Sequence, residues 1–510
     1  MNTIREIWEH ALDSYPELTA VKWLEKKEIK ERKYKELGND IEAIRKGLRV
    51  HGFSGKHIAL IGTASVNWIG AYFGITTGDN VAVPLDAGLP AEDLIGLLKD
   101  SDSEALFLTP KGKALAEIIK KECPMIRKIW LLQEEPEEGF ETLAELIISS
   151  AGEEDVEGST SEEIATLIYT SGTTGKSKGV MLTQSNLAMN VEAVPYSAAP
   201  GCTLLSVLPI HHAFCLVMDW LKGFSLGAEV CVNDSFMHMI RNMEIFKPEV
   251  MLMVPLMIET IYKRLASVDG TVPAQAVAES VFGGKLRIIF TGGAHLDPFY
   301  IEQFEKYGVQ VLEGYGMSEC SPVISSNTPE NHKAGSIGMP LKNVKIRFVD
   351  GEIQVQGSSV MKGYYKMPEA TEETLKDGWL HTGDKGYLDE DGFLFINGRV
   401  KNLIILSNGE NISPEEIENK LGINSLVGEV IVTGENNGLT ARIYPDQDVL
   451  KATGMNEETV KDSLQGIISE YNSTQPTYRQ IIALVVRKTP FHRNATGKIV
   501  RADAAVDDAV

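Results

Sequence analysis

The sequence predicts an α/β fold: a large N-terminal domain of parallel or mixed sheets with helices, a β-rich subdomain, and a small α+β C-terminal domain. Three observations support this class. Strand-like and helix-like segments alternate through the first half, glycine-containing loops follow three strands, and short hairpins replace the alternation after about Gly338. Strands that alternate with helices form parallel sheets whose faces the helices cover.

The alternation extends from residue 57 to residue 312. We predict strands at 57–61, 81–84, 105–109, 164–168, 285–290 and 309–312, and helices at 65–75 and 91–99. The stretch 133–163 is rich in glutamate, serine and glycine, which predicts an exposed connection. Asp297 and Pro298 predict the start of a further helix, as its N-cap and first-turn residue.

Turn chemistry changes in the last third of the chain. Asp350-Gly351 and Asp391-Gly392 each separate short alternating segments, which predicts two hairpins. The segment 413–416, Ser-Pro-Glu-Glu, predicts a helix that begins with a capping box. We place a domain boundary near Arg399, with residues 1–398 as the core and residues 399–510 as the small domain.

Composition limits the classes of function. The 510 residues are 43% hydrophobic and 24% charged, as expected for a globular protein of two or three domains. Lysine and arginine number 49 against 71 acidic residues, and the net charge of −22 argues against nucleic acid and anionic lipid as partners. Five cysteines without a Cys-x-x-Cys pair indicate a reducing compartment and no zinc site.

No segment of the sequence resembles a secretion signal or a membrane span. Residues 1–9 carry charges and have no apolar core, and the apolar run 250–258 is only nine residues long. A span needs about 20 apolar residues. We therefore expect a cytoplasmic protein without a transmembrane segment, while peripheral contact with a membrane stays open.

The most informative segment is Tyr-Thr-Ser-Gly-Thr-Thr-Gly-Lys-Ser-Lys-Gly at residues 169–179, directly after a predicted buried strand. Glycines let backbone N–H groups approach a phosphate, hydroxyls donate to its oxygens, and lysines add positive charge. A P-loop would have glycine where Thr170 stands, and a simple polar turn is the alternative. The residues expected to bind phosphate are Thr170, Ser171, Gly172, Thr173, Thr174, Gly175, Lys176 and Lys178.

Two further glycine loops, 291–294 and 313–319, also follow predicted strands. Ligands bind beyond the carboxyl ends of parallel strands, so we expect the three loops to enclose one nucleotide. Glu319 ends the last loop, and its carboxylate suits Mg²⁺, a hard cation that prefers oxygen ligands and substrate phosphates. The alternative role of Glu319 is that of an acid at a helix N-terminus.

Three residues nearer the C-terminus are further candidates. Asp384, in a glycine turn, suits the two ribose hydroxyls of a nucleotide, although a turn cap is the alternative. Arg399 adds a charged fork for the same nucleotide. The glycine loop 490–498 ends in Lys498, which is either a solvated charge or a mobile catalytic arm.

In order and spacing, these segments resemble the adenylate-forming superfamily of acyl-CoA synthetases, nonribosomal-peptide adenylation domains and luciferases. The resemblance spans about residues 133–498, with motifs at 169–179, 314–319, 382–384 and 496–498. It implies a reaction in two steps. A carboxylate attacks the α-phosphate of ATP to give acyl-AMP and pyrophosphate, and a thiol, usually that of coenzyme A, then displaces AMP.

The resemblance also implies a role for each candidate residue. Mg²⁺ and positioned cations are needed because an anion attacks a polyanion. Residues 170–178 would hold the β- and γ-phosphates, and Lys498 would bridge the carboxylate and the α-phosphate. The rest of the nucleotide site would comprise Gly292, Gly293, Ala294, Gly314, Tyr315, Gly316 and Met317 around adenine, Glu313 in the same loop, Ser318 on phosphate, Glu319 on Mg²⁺, and Asp384 and Arg399 on ribose.

The small domain of such enzymes is expected to swing between the two steps. Lys401 occupies the hinge position of the family. Rotation would withdraw Lys498 and bring in Gly409, which matches a glycine beside the pantetheine tunnel. Asn408 stands where the family usually has a second glycine, which leaves the width of the tunnel open.

The acid site is expected at residues 208–214, Leu-Pro-Ile-His-His-Ala-Phe, with His211 in place of the usual aromatic residue. The substrate candidates are His211, His212 and Phe214. Paired histidines resemble the fatty-acyl branch of the family, although two satisfied core histidines are the alternative. The implied catalytic residues are Lys498, Glu319, Thr170 and His212, and the expected reactants are a medium- or long-chain fatty acid, ATP and coenzyme A, with Mg²⁺.

Three other functions stay open. The nearest is a ligase for another acid, such as an aryl acid or o-succinylbenzoate. Another is an adenylation enzyme that loads a carrier protein in trans. The third is a nucleotide-binding regulator without catalysis, against which the presence of Lys498 and Glu319 argues.

Overall fold

A computed structural model describes residues 1–171, 177–266, 268, 271–405, 411–435, 438–493 and 499–501. Its contacts divide the chain into two compact units. The first comprises Met1–Ala294, Phe299–Ile346 and Val355–Leu380, and the second comprises His295–Pro298, Arg347–Gln354 and His381–Val510. The boundary near Arg399 stays a prediction, and it falls within the second unit.

The first unit contains two mainly parallel sheets, as the alternating pattern predicts. The nine strands of the first sheet are, in spatial order, Met339–Pro340, Val323–Ser326, Gln310–Gly316, Ile288–Thr291, Val250–Met253, Thr203–Ser206, Glu229–Val232, Thr19–Glu25 and Glu28–Lys33. The eight strands of the second sheet are Gly363–Tyr364, Ser177–Thr183, Ile164–Ser171, Val81–Leu85, His57–Ile61, Ser103–Leu108, Lys128–Leu131 and Glu141–Thr142. Antiparallel pairs occur only at or near the ends of each order, in the described residues.

The helices of the first unit cover these sheets. One of them, Val66–Thr76, is buried on nearly all sides because its residues are almost all apolar, and Ser65 caps it by accepting from the N–H of Trp68. The others are Ile4–Ser14, Tyr34–Val50, Ala91–Asp100, Lys113–Glu122, Leu143–Ser149, Gln184–Ala193, Gly223–Ser225, Met239–Phe246, Pro255–Ala266, Ala274–Phe282, Pro298–Glu305 and Pro368–Thr374, with a π-helix at Cys215–Lys222. No helix in the described ranges has the length and apolar content needed to cross a membrane.

A third sheet joins Val344–Val349, Glu352–Gly357, Trp379–Leu388 and Leu375–Lys376 in that order, with Leu394–Arg399 paired to Trp379–Leu388. Both predicted hairpins are confirmed. Asp350 and Gly351 have φ values of 51° and 79°, as a type I′ turn requires. In the other hairpin, Leu388 pairs with Leu394 across the turn.

The second unit has its own hydrophobic core. A three-stranded sheet, in which Gly438–Pro445 pairs with Val427–Glu435 on one side and Ile481–Val486 on the other, packs against helices. The helices are Pro414–Gly422, Gln447–Thr453 and Glu457–Ser473, and a two-stranded sheet joins Ile404–Ile405 to Asn411–Ile412. This composition confirms the predicted α+β character.

Two local predictions are wrong. The stretch 133–163 is more than an exposed connection, because helix Leu143–Ser149 buries Leu143 and Leu146. Apolar residues at this spacing place one helix face in the core, which outweighs the polar composition of the segment. The helix at Pro414–Gly422 begins where expected, but no capping box forms, since the Ser413 hydroxyl donates to Glu415 Oε2 at 3.0 Å.

One buried amide fixes the segment that carries Glu319. Asn190, on helix Gln184–Ala193, is fully buried. Its amide nitrogen lies 3.3 Å from the carbonyl oxygen of Cys320 and 2.8 Å from that of Val323, and its side-chain oxygen accepts from the N–H of Val323 at 3.2 Å. It also reaches Ser359 Oγ at 3.0 Å. Helix, loop and Ser359 are therefore joined by one side chain.

Replacing Asn190 by alanine is expected to destabilise the protein by about 3 kcal/mol, since buried backbone groups lose their partners. Urea unfolding followed by tryptophan fluorescence measures the change. Gln275→Ala, on the exposed face of a helix, serves as the control and is expected to change stability by less than about 0.5 kcal/mol. An equally small effect of Asn190→Ala would contradict the role given to this amide.

Candidate active site

Two of the three predicted loops meet at the end of the first sheet. The parallel strands Ile288–Thr291 and Gln310–Gly316 place Thr291 opposite Glu313. Both residues are buried, and Thr291 Oγ1 has no hydrogen-bond partner among the described residues. A buried hydroxyl without a partner at the carboxyl end of a strand suits a ligand that supplies one.

The backbones of these loops approach each other closely. A Cβ atom built on Gly292 would lie 3.1 Å from the carbonyl oxygen of Gly314 and 3.9 Å from Phe214 Cζ. On Gly316, a Cβ atom would lie only 2.0 Å from the carbonyl oxygen of Pro322, which a side chain cannot tolerate. The glycines therefore permit the packing of the loop, and Phe214 brings the acid segment next to it.

The two strands that flank the phosphate segment pair with each other as a hairpin. Strands Ile164–Ser171 and Ser177–Thr183 are antiparallel, with Thr170 opposite Lys178. The hairpin thus places the first hydroxyl and the last lysine of the motif side by side. Gly172, Thr173, Thr174, Gly175 and Lys176 lie outside the described residues, as does the side chain of Ser171.

A tyrosine connects this hairpin to Glu319. The hydroxyl of Tyr364 donates to Glu319 Oε1 at 2.8 Å, and the ammonium of Lys178 lies 4.7 Å from the centre of the Tyr364 ring. Burial and the neighbouring carboxylate raise the pKa of Tyr364, so it stays a hydroxyl donor at neutral pH. The sequence analysis gave Tyr364 no role, because only its proximity in the fold relates it to Glu319.

Glu319, the predicted Mg²⁺ ligand, is buried and keeps one carboxylate oxygen without a described donor. It lies in the short helix Ser318–Cys320, is 9% exposed, and uses Oε1 for the tyrosine, while no described residue donates to Oε2. No group of three metal-binding side chains occurs in the described part of the chain. Proteins often bind Mg²⁺ through one or two carboxylates together with substrate phosphates, and Glu319 is the candidate carboxylate here.

The two predicted acid-site histidines are neighbours with different surroundings. Their ring centroids are 4.3 Å apart; His212 is exposed, and His211 is more buried, with Nε2 3.8 Å from Asp86 Oδ2. Burial, followed by the nearby His212, lowers the pKa of His211 well below the usual value. His211 is therefore neutral at pH 7, and the acid would meet an uncharged imidazole there.

A buried polar network follows the histidines. Asp219, in the π-helix Cys215–Lys222, is 2% exposed and accepts from Ser206 Oγ at 2.8 Å. The thiol of Cys215 lies 3.5 Å from the same carboxylate oxygen and 3.2 Å from the carbonyl oxygen of Leu208. π-Helices are rare in proteins, and those that do occur often lie at functional sites. The network joins the two ends of the predicted acid site, residues 208–214, and no pattern in the sequence indicates it.

The two predicted ribose residues lie together in the second unit. Asp384 and Arg399 are opposite each other in the hairpin, and Arg399 Nε lies 3.1 Å from Asp384 Oδ1. Asp384 is buried, whereas the guanidinium side is exposed. The turn is held by Glu352, whose Oε1 accepts from the N–H of Gly383 at 3.0 Å.

The remaining candidates are only partly described. Lys401 is exposed in the short helix Val400–Asn402. Gly409 and Lys498 lie outside the described residues. An isolated antiparallel bridge pairs Arg493 with Ile499, so the two ends of the Lys498 segment are held next to each other.

Comparison with known proteins agrees with this geometry. The family described as AMP-binding enzyme matches residues 8–365, and the family described as AMP-binding enzyme C-terminal domain matches residues 401–507. The long-chain-fatty-acid–CoA ligase FadD15 of Mycobacterium bovis is 28% identical over 448 residues, which cover 78% of this chain and 74% of that protein.

Two solved structures share the fold. The anthranilate CoA ligase AuaEII in complex with anthranoyl-AMP has a TM-score of 0.84 and 20% identity, and the match covers 99% of this chain and 96% of the other. The o-succinylbenzoate CoA synthetase of Bacillus subtilis, in complex with the acyl-adenylate OSB-AMP, has a TM-score of 0.78 and 24% identity, with 97% of both chains covered. The α/β fold with a separate C-terminal domain is thus confirmed.

The buried Asp219 is expected to make stability depend on pH. Burial raises the pKa of Asp219 to about 7, whereas an unfolded aspartate titrates near 3.9. The folded state therefore keeps a proton that the unfolded chain has lost, and the carboxyl costs increasing stability as pH rises from about 4 to about 7.

Asp219→Asn removes this titration. Its stability relative to the wild-type protein is expected to rise by about 2 kcal/mol between pH 5 and pH 8. Thermal unfolding of both proteins at one scan rate across this range measures the difference. Asp462→Asn, on an exposed helix face, is the control, and its stability relative to the wild-type protein is expected not to change with pH. If the relative stability of Asp219→Asn were equally independent of pH, the burial argument would be ruled out.

Proposed function

Because this chain belongs to the AMP-binding enzyme family and is an acid–CoA ligase that acts through an adenylate intermediate, we propose that its acid is a medium- or long-chain fatty acid. The enzyme uses ATP, Mg²⁺ and coenzyme A. The observation that carries the proposal is the apolar, buried segment that follows the histidines and reaches the nucleotide loop through Phe214.

The charged side chains of residues 208–224, the predicted acid site and the helix that follows it, support an apolar substrate. Lys222 is the one lysine or arginine between residues 208 and 224. Its ammonium donates to the carbonyl oxygens of Val191 and Val194, both at 3.0 Å, and burial lowers its pKa to about 8. With His211 neutral and Lys222 engaged, neither side chain offers a free cation to a second carboxylate, which favours a fatty acid over a dicarboxylic one.

The nucleotide is proposed to bind between the three predicted loops. Residues 170–178 would hold the β- and γ-phosphates, the loops 292–294 and 314–317 would enclose adenine, and Asp384 with Arg399 would hold ribose. Glu319 would hold Mg²⁺, which neutralises charge on the phosphate oxygens. The hairpin pairing of Thr170 with Lys178, and its connection to Glu319 through Tyr364, support this arrangement.

The small domain is proposed to act in both steps. Residues 1–398 would form the core, and residues 399–510 would form a lid with Lys401 as its hinge. Lys498 would bridge the acid and the α-phosphate in the first step, and Gly409 would line the path of the thiol in the second. A cytoplasmic location stays a prediction from the sequence.

A panel of acids tests the substrate. The purified enzyme with ATP and Mg²⁺ is given octanoate, palmitate, benzoate, o-succinylbenzoate or no acid, and pyrophosphate release is measured. We expect release with octanoate or palmitate at least tenfold above that with the aromatic acids. Release with benzoate or o-succinylbenzoate alone would assign another acid. AMP release that requires a carrier protein and consumes no coenzyme A would assign a different acceptor.

Lys498→Ala is expected to lower acyl-AMP formation by at least about 100-fold, because a charge that stabilises the transition state is lost. Thioester formation from supplied acyl-AMP is expected to change by less than threefold. Quenched-flow measurement of each half-reaction separates the two rates, and an equal loss in both would refute the role of Lys498.

Lys401→Pro is the complementary variant, since a proline restricts the proposed hinge. Acyl-AMP formation is expected to stay within threefold of the wild-type rate, while transfer to coenzyme A slows by at least tenfold. Normal rates in both half-reactions would show that the hinge lies elsewhere.

A further inference from the structure

We propose that Tyr364 is a positioning residue that holds Glu319 and Lys178 apart, so that the carboxylate stays available to the metal ion and the ammonium to the phosphates. The inference rests on the proposed role of Glu319 as the Mg²⁺ ligand. It adds a residue that belongs to neither the phosphate segment nor the loop of Glu319.

The backbone around Tyr364 is fixed on both sides. Gly363 and Tyr364 pair with Met181 and Val180 at the edge of the second sheet. The N–H of Tyr364 donates to Thr371 Oγ1 at 2.9 Å. A side chain that is 6% exposed and attached to such a strand has little freedom to move.

The loop of Glu319 is tied to the same strand region. The N–H of Met361 donates to the carbonyl oxygen of Glu319 at 2.9 Å, while the hydroxyl of Tyr364 reaches Oε1 at 2.8 Å. Backbone and side chain of Glu319 are therefore held from one segment. The hydroxyl occupies one oxygen, and Oε2 receives no hydrogen bond from any described residue.

The ring of Tyr364 provides the second contact. The ammonium of Lys178 lies 4.7 Å from the ring centre, and a cation in this position is attracted by the ring without losing its charge. No ion pair joins Lys178 to Glu319 among the described residues. A direct ion pair would neutralise both charges. The neutral tyrosine instead contacts the carboxylate through its hydroxyl and the ammonium through its ring, so both groups keep their charge for the ligand.

Three variants separate the two contacts. Tyr364→Phe removes the hydroxyl and keeps the ring, and Tyr364→Leu removes both. Tyr365→Phe is the matched control, because the hydroxyl of this adjacent tyrosine also donates to a carboxylate, Asp102 Oδ2, at 2.7 Å. The full-length proteins are titrated with ATP by calorimetry without acid, in Mg²⁺ and in EDTA, and thermal unfolding confirms that each variant is folded.

Tyr364→Phe is expected to reduce by about tenfold the gain in ATP affinity that Mg²⁺ provides, the usual scale for a residue that orients a metal ligand. Its ATP affinity in EDTA is expected to stay within twofold of the wild-type value. Tyr364→Leu is expected to weaken ATP binding in EDTA as well, at least threefold, because Lys178 loses the ring. Tyr365→Phe is expected to match the wild-type protein in both conditions.

Glu319→Gln distinguishes this inference from the proposed function. If Glu319→Gln abolishes the gain from Mg²⁺ while Tyr364→Phe keeps the full gain, the role of Tyr364 is wrong and that of Glu319 stands. If Glu319→Gln keeps the full gain, the proposed metal ligand itself is wrong. A loss of ATP affinity in Tyr364→Phe that is equal in Mg²⁺ and in EDTA would also overturn the positioning role.

Discussion

A carboxylate held out of water beside phosphate-attracting groups is the constraint on which the site depends. Burial of a charge is costly unless hydrogen bonds compensate it, and Glu319 obtains its compensation from a tyrosine hydroxyl instead of a cation. The position of its loop is set by Asn190, which bonds the backbone of Cys320 and Val323. Glu319 is thus held from a helix, through Asn190, and from an edge strand, through Tyr364. Such fixed geometry suits the positioning of a phosphate chain.

The two sheets supply different parts of the site. The first sheet ends in loops whose glycines approach each other, with Gly292 next to Gly314 and to Phe214. The second sheet supplies the hairpin in which Thr170 stands opposite Lys178. Phe214, in the predicted acid site, lies next to Gly292 of the first sheet's loops. Tyr364, at the edge of the second sheet, donates a hydrogen bond to Glu319. These candidate residues of both sheets belong to a single compact unit.

Local patterns predict much of this arrangement, and long-range contacts explain the rest. The alternating segments predict the parallel sheets, and the Asp-Gly pairs at 350–351 and 391–392 predict two hairpins, because both depend on neighbours in sequence. Tyr364 is 45 positions from Glu319, so no spacing indicates their hydrogen bond. Helix Leu143–Ser149 was missed because its buried face is small compared with its acidic surroundings. The network of Asp219 depends on a π-helix, whose backbone geometry no composition pattern reveals.

The polar groups of the acid segment explain how an apolar substrate could bind next to a polyanion. Three ionisable side chains there are neutral or already engaged: His211 is kept neutral by burial, Lys222 donates to two carbonyl oxygens, and Asp219 accepts from Ser206. Charges that are satisfied internally do not attract water or a second carboxylate. Lys178, and Lys498 in its proposed role, would supply positive charge on the phosphate side. Such a separation of an apolar side from a cationic side is what the proposed fatty-acid substrate would require.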